Sequence, residues 1–283
     1  MTERAAREKN DPSPAANALL SAEPTTILTA PGEVHLWIFD VAQLSASTSE
    51  FCRRYLSPDE LERARRFRFA EDQIRFAIGR GFIRKILSFY VDRPPSDIRF
   101  DLGRHGKPVL CDADLNVNWS HSGSMWSLAV SGGGRVGIDI EAEARAADWA
   151  GPASIAFGPD EIEYIIHERD PDRRKRQFLQ LWTRKEALLK AIGKGLHDKM
   201  AAISVIGRHG APADVLDLGI DGRWWLNPFA TGPLFCGALV TDFEAAGIRV
   251  LDGQVLIEGP AGINPPPTPA RHCLASHKVE PLP

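Results

Sequence analysis

The chain repeats itself, and the repeat limits the folds open to it. "YLSPDELERA" (55–64) is matched by "AFGPDEIEYI" (156–165), with Pro-Asp-Glu followed by an aliphatic residue and Glu in both. About twenty residues later each copy continues into a long amphipathic segment, "IRFAIGRGFIRKILSFYV" (74–91) and "RQFLQLWTRKEALLKAIG" (176–193). Phe76 then aligns with Phe178, and Leu87 with Leu189. The first Pro-Asp-Glu opens a helix on elementary grounds. Ser57 supplies an N-cap hydroxyl, Pro58 suits the first helical position, and Glu60 can reach back to the cap. The repeat predicts two similar α+β halves packed together, and the seam between such halves is a natural cleft.

Strands follow from alternation and β-rich runs at "VHLWIFDV" (34–41), "WSLAVS" (126–131), "RVGIDIE" (135–141), "RWWLNPF" (223–229) and "LFCGALV" (234–240). "SGGGR" between the second and third of these reads as a hairpin turn. Long helices alternating irregularly with strands predict an α+β fold rather than a doubly wound sheet. The predicted organisation is a tail over 1–31, a first half over 32–135, a second half over 136–247 and a Pro-rich tail over 248–283. A body that already holds two halves predicts a monomer.

Composition removes several function classes. A net charge of −3 over 283 residues gives no global reason to bind nucleic acid. The four cysteines lie far apart with no CxxC pair, which predicts free thiols in a reducing compartment and no zinc site. No apolar run approaches a membrane span, and the N-terminal stretch lacks the apolar core of a secretory signal. The expectation is a cytoplasmic protein that does not act at a membrane.

Chemistry is suggested where polar residues break these patterns. In "LWTRKEALLKAIGKG" (181–195) an apolar stripe is interrupted by Lys185 near its middle and Glu186 at its border, with Lys190 one turn after Glu186. In "VGIDIE" (136–141) Val136, Ile138 and Ile140 point to one face of a strand, and Gly137, Asp139 and Glu141 to the other. Gly137 leaves room for a close approach by backbone or ligand. Asp139 and Glu141 are about 6.5–7 Å apart along one face, a spacing that suits two oxygen ligands of one hard cation, or equally a solvated strand face. Glu186 offers a third carboxylate, and three carboxylates without a Cys or His pattern favour Mg²⁺. Lys107 in "RHGKPVL" (104–110), and Ser120 and His121 in "NWSHSGS" (118–124), sit in predicted tight turns that could cradle an anion. The basic segment 60–85, with Arg63, Arg75, Arg80 and Arg84 among its cations, reads as a solvated face or as the lining of an anionic pocket.

Together "GKP" (106–108), "NWSHSG" (118–123), "VGIDIE" (136–141) and "LWTRKEALLKAIGKGL" (181–196) resemble the Sfp-type 4'-phosphopantetheinyl transferases, and "SPDELERARRF" upstream is similar to that family's first half. The resemblance spans about 34–240. It implies the α+β phosphopantetheinyl transferase fold of two pseudo-twofold-related halves, with coenzyme A at their seam. It also implies transfer of phosphopantetheine from coenzyme A to a serine of an apo acyl carrier or peptidyl carrier domain, with release of 3',5'-ADP. Asp139, Glu141 and Glu186 are then expected to hold Mg²⁺, with Mn²⁺ as the alternative, and Lys190 to contact the diphosphate. Lys107, Ser120 and His121 are expected at the nucleotide end. Arg75 is a further phosphate contact, and Arg63 is what remains of the family's basic residues where Glu60 and Leu61 stand. Glu186 is the candidate base, with Lys185 or a metal-bound water as an alternative relay. On this reading Lys185 and Glu186 interrupt the stripe because they face the cleft. Carrier recognition is expected along 193–225, with Lys194, Lys199, Met200 and Arg208 as candidates. The competing classes are a catalytically silent carrier-binding module and a Mg²⁺-dependent nucleotide pyrophosphatase.

Overall fold

The structure is a computed structural model. It describes residues 29–253 apart from 43–45, 92, 104, 112, 194–196, 208, 220 and 221. Strand β1 (Glu33–Asp40) is followed by helices α1 (Ala46–Arg53), α2 (Pro58–Arg65) and α3 (Ala70–Leu87). A short hairpin, β2 (Phe100–Leu102) and β3 (Pro108–Leu110), leads to β4 (Asn116–Ser122) and β5 (Met125–Ser131). The second half has β6 (Val136–Ala142), α4 (Ala150–Ala156), α5 (Pro159–His167), α6 (Pro171–Ile192), β7 (Val215–Asp217), β8 (Arg223–Ala230) and β9 (Phe235–Thr241). Strand β10 (Gly247–Asp252) closes the order.

The mixed helix-and-sheet architecture is the α+β class expected. Two four-stranded sheets run β10-β1-β5-β4 and β6-β9-β8-β7. In the first, Trp37, Phe39, Leu128 and Val130 pack under Ile78, Phe82 and Ile86 of α3. In the second, Trp224, Leu226, Ala238 and Val240 pack under Phe178, Leu181 and Leu188 of α6. The opposite faces meet each other. Val34, Leu36 and Ala129 of the first sheet close over Val136, Ile138 and Leu239 of the second. Each buried Val, Leu or Ile of this layer stabilises the fold by about 1.5–3 kcal/mol when taken from water, and the shared layer makes the two halves one body.

The repeat reappears in three dimensions. Ser57 and Gly158 are the N-caps of α2 and α5, each followed by Pro, and the third helical residue, Glu60 or Glu161, bonds back to the cap nitrogen. Both carboxylates have a second task. Glu60 binds Arg84 and Arg80 of α3, and Glu161 binds Lys185 of α6. Each half thus ties its short helix to its long one through a buried ion pair. Helix α6 itself starts at Asp170, whose Oδ1 accepts the N–H groups of Asp172 and Arg173, and stops at Gly193 in the left-handed region.

Three expectations are corrected. "SGGGR" is no hairpin: β5 and β6 lie in different sheets, so this segment is the crossover between halves. Residues 116–122 form a strand, so Ser120 and His121 are strand residues and the turn is made by Gly123 (φ 58°) and Ser124. The expected tail from 248 begins too early, because Gly247–Asp252 pairs with β1 in parallel, Leu36 opposite Val250. Residues 1–28 and 254–283 of the two expected tails lie outside the described residues.

Gly137 shows how tightly α6 lies on β6. A Cβ there would come within 2.1 Å of the Ala187 carbonyl oxygen and 2.4 Å of the Ala191 nitrogen, main-chain atoms that no rotamer change can move. Gly137→Ala is therefore expected to cost about 3 kcal/mol, read as a lowered denaturant midpoint with an unchanged slope.

Candidate functional site

Strands β4 and β6 sit side by side at the seam, joined by β4 side chains. The Asn118 Oδ1 accepts the Ile138 N–H (2.8 Å). The Ser120 hydroxyl donates to Asp139 Oδ1 (2.8 Å), and the Ser122 hydroxyl donates to Glu141 Oε2 (2.5 Å). Alternation places Asp139 and Glu141 on the same face of β6 as Gly137, the face against α6. From α6 the Lys190 ammonium reaches Asp139 Oδ1 at 2.6 Å and the Ser120 hydroxyl at 3.0 Å. Asp139, Ser120 and Lys190 thus form one closed knot drawn from both halves. Glu186 lies half-buried one helical turn before Lys190.

The cation question turns on the remaining carboxylate atoms. Asp139 Oδ2 is buried and accepts no hydrogen bond. Burial pushes the Glu141 carboxyl up and the Asp139 charge adds to this, while the Ser122 bond opposes it. An orphaned oxygen beside a second crowded carboxylate is a donor set that a hard cation would relieve. Among the described residues, no group of three or more His, Cys, Asp or Glu side chains is drawn together as a metal cage. Asp139 is neutralised by Lys190 instead.

Beside the knot a broad cleft opens in the first half. Arg63, Arg75, Phe76, Trp119, His121 and Trp126 are among its lining residues. The His121 ring stacks on Trp126 with centroids 4.3 Å apart and planes 13° from parallel. The His121 side chain is exposed to the cleft, and partial desolvation lowers its pKa, with Lys190, Arg75 and Arg63 pushing the same way. Arg63 lies over the Phe76 ring at 5.3 Å, and Arg75 pairs with Asp72 at 3.1 Å. The basic segment is not uniformly solvated. Arg84 and Lys85 are buried, and Arg84 also donates to the carbonyls of Pro95 and Ile98.

Two lysines are placed differently from expectation. Lys185 does not face the cleft. It is 1% exposed, and its ammonium donates to the carbonyls of Ala156 (2.7 Å) and Met200 (2.9 Å) and pairs with Glu161 (2.5 Å). A cation interrupts the apolar stripe because three oxygens wait for it inside, which removes it as a proton relay. Lys107 follows Gly106 in the β2–β3 turn, and its ammonium is held by the carbonyls of Val136 (2.8 Å) and Ala191 (3.3 Å). It pins the end of α6 to the start of β6 and does not line the cleft, where its neighbours Gly106 and Pro108 do.

Burial lowers the Lys107 pKa from 10.5 to about 8. Between these values the unfolded chain holds a proton that the folded chain has released, so stability rises with pH across that window. Because the buried thiols and phenols titrate in the opposite sense over the same range, the expected signature is a native-minus-Lys107→Met difference in denaturant stability that rises from pH 8 to 10.5.

Of the carrier-docking candidates, Met200 is 5% exposed and belongs to the second-half core. Lys194, Arg208 and the Lys199 side chain lie outside the described residues. The thiols of Cys52, Cys111 and Cys236 are free, and Cys273 lies outside the described residues. Sequence reasoning missed Asn118 and Ser122. Their signal was available in the alternation Asn118-x-Ser120-x-Ser122, which puts three short polar side chains on one strand face. Among the described residues no helix is long and apolar enough to cross a membrane.

Comparison with known proteins covers both halves. A family model described as "4'-phosphopantetheinyl transferase superfamily" matches residues 135–231, and one described as "4'-phosphopantetheinyl transferase, N-terminal" matches 43–132. The chain is 35% identical over 178 residues to 4'-phosphopantetheinyl transferase HetI of Nostoc sp., covering 62% of this chain and 74% of that protein. It is 32% identical over 167 residues to 4'-phosphopantetheinyl transferase Sfp of Bacillus subtilis, covering 57% and 71%. It is also 32% identical over 181 residues to the L-aminoadipate-semialdehyde dehydrogenase-phosphopantetheinyl transferase of Mus musculus, covering 58% and 57%.

Proposed function

Since the chain belongs to the 4'-phosphopantetheinyl transferase family, we propose that it moves the 4'-phosphopantetheine group of coenzyme A onto a serine of an apo acyl carrier or peptidyl carrier domain, at the seam between its sheets. The observation that carries this reading is the knot of Asp139, Ser120 and Lys190, built from both halves beside an arginine-lined cleft.

In this reading the first half binds and the second half reacts. Arg63, Arg75 and the His121 edge meet the phosphorylated nucleotide end, as cations and ring N–H donors do for phosphate oxygens. Lys190 turns part of its charge from Asp139 to the diphosphate. Ser120 acts through Asp139 and Lys190, both of which it already touches. Glu186 accepts the proton of the carrier serine as its oxygen attacks the pantetheine-bearing phosphorus. The new Ser O–P bond forms as the P–O bond to 3',5'-ADP breaks, and the electron pair leaves with the nucleotide. Asp139, Glu141 and Glu186 would hold Mg²⁺ or Mn²⁺, which when bound supplies charge neutralisation on the diphosphate. The working form is a monomer, because one body contains both sides of the site, and the free thiols among the described residues fit a reducing compartment such as the cytoplasm.

Intact-protein mass spectrometry of apo carrier domains incubated with the chain, coenzyme A and Mg²⁺ tests the proposal. The expected result is a carrier heavier by one phosphopantetheine unit, and only without EDTA. No change across fatty-acid, polyketide and peptide carriers would favour a silent carrier-binding module. Coenzyme A cleavage without carrier modification would favour a pyrophosphatase.

A further inference from the structure

Ser122 is a polar residue of the seam that this reading leaves without a task. Its hydroxyl is committed in both senses: it donates to Glu141 Oε2 (2.5 Å) and accepts the Ala142 N–H (3.0 Å). The acceptor bond to main chain fixes the rotamer, so the hydrogen is aimed at Glu141. Ser122 is 5% exposed, and water does not compete for this bond. The other partner of the same oxygen is Arg145, whose Nε lies 3.6 Å away on a side chain 71% exposed. An exposed pair of that kind contributes little and does not fix geometry. Glu141 has three side-chain torsions to order, one more than Asp139, and ordering them costs entropy that must be met before any ligand arrives.

We propose that Ser122 is the positioning residue of Glu141, holding Oε2 so that the carboxylate is preset for the divalent cation. The inference rests on the reading of Asp139, Glu141 and Glu186 as the metal-holding set. It extends that reading from the carboxylates to a hydroxyl on the opposite strand. Outer partners of metal-holding side chains typically change metal affinity about 10–100-fold when removed. Ser120 is no substitute for Ser122, because it is spent on Asp139 and Lys190.

Mn²⁺ is titrated into the full chain with coenzyme A present and no carrier, and free Mn²⁺ is read by electron paramagnetic resonance. Binding is then measured without turnover. Ser122→Ala is expected to weaken Mn²⁺ about tenfold, and Ser122→Thr, which keeps the hydroxyl, to restore it to within about threefold of the native value. In carrier labelling, Ser122→Ala should raise the metal concentration for half-maximal rate and approach the native kcat at saturating metal. Glu141→Gln is the reference. Weakened binding in Glu141→Gln with native binding in Ser122→Ala would overturn the positioning role alone. Native binding in Glu141→Gln would overturn the metal-holding set and the inference with it. A loss in Ser122→Ala that Ser122→Thr fails to recover would assign the effect to packing of β4 on β6, and would overturn the inference as well.

Discussion

Asp139→Ala is expected to reduce carrier modification by roughly 10³-fold or more in a chain that still folds. Both expectations follow from the same atoms. Oδ1 gathers Ser120 and Lys190 at 2.8 and 2.6 Å, and Oδ2 accepts nothing from the protein. Removing the carboxylate therefore takes away the centre of the knot and an oxygen that nothing else in the fold uses. The lost packing is small, and Lys190, 30% exposed at the side chain, can turn to solvent without a buried charge being stranded. Asp139→Asn keeps an oxygen for Ser120 but loses the charge, and should fall nearly as far. Single-turnover labelling of an apo carrier gives the rate, with circular dichroism melts as the fold control. Undiminished transfer by a folded Asp139→Ala would overturn the catalytic assignment of the seam.

Lys185→Met is expected to do the reverse, costing stability and sparing chemistry. The ammonium is enclosed by Ala156 O, Met200 O and the Glu161 carboxylate, which also accepts the N–H groups of Gly158 and Val205 at 2.9 Å. Truncating it leaves Glu161 charged, 0% exposed and without its cation. Breaking a buried pair from one side costs about 3–5 kcal/mol, which for a chain this long lowers Tm by roughly 10 °C. Adding Glu161→Gln should recover part of the loss, because the stranded charge goes while the two N–H contacts keep an acceptor. Thermal melts of the native chain and the two variants measure this, and labelling well below Tm should proceed at near-native kcat. A Lys185→Met chain that melts like the native one but no longer transfers would restore the lysine to the catalytic set.

What could be read from the residues divides along physical lines. The helix starts at Pro58 and Pro159 were legible because capping is local chemistry, complete within four residues. The face of β6 that carries Asp139 and Glu141 was legible because alternation fixes it. Strand β4 was not, because its polar residues look like turn formers until β6 supplies their partners across the seam. The same limit governed Lys185 and Lys107. Periodicity and turn chemistry say where a side chain starts, and only the packed chain says which carbonyls meet its end. Strand β10 was hidden for a related reason: a parallel partner more than 200 residues away leaves no local mark beyond a short β-branched run.

That last pairing has a consequence for how the molecule is made. The sheet of the first half runs β10-β1-β5-β4, so its outer strand is synthesised after every strand of the second half. At 5–20 residues per second, the β1 edge waits on the order of ten seconds after β5 has left the ribosome. During that interval the N-terminal half presents an open row of backbone donors and acceptors. The completed second half must then deliver its trailing segment back across the molecule to close it. Co-translational quality control therefore has a specific target here: the unpaired β1 edge of a nascent chain whose seam residues are already synthesised but whose border strand is not.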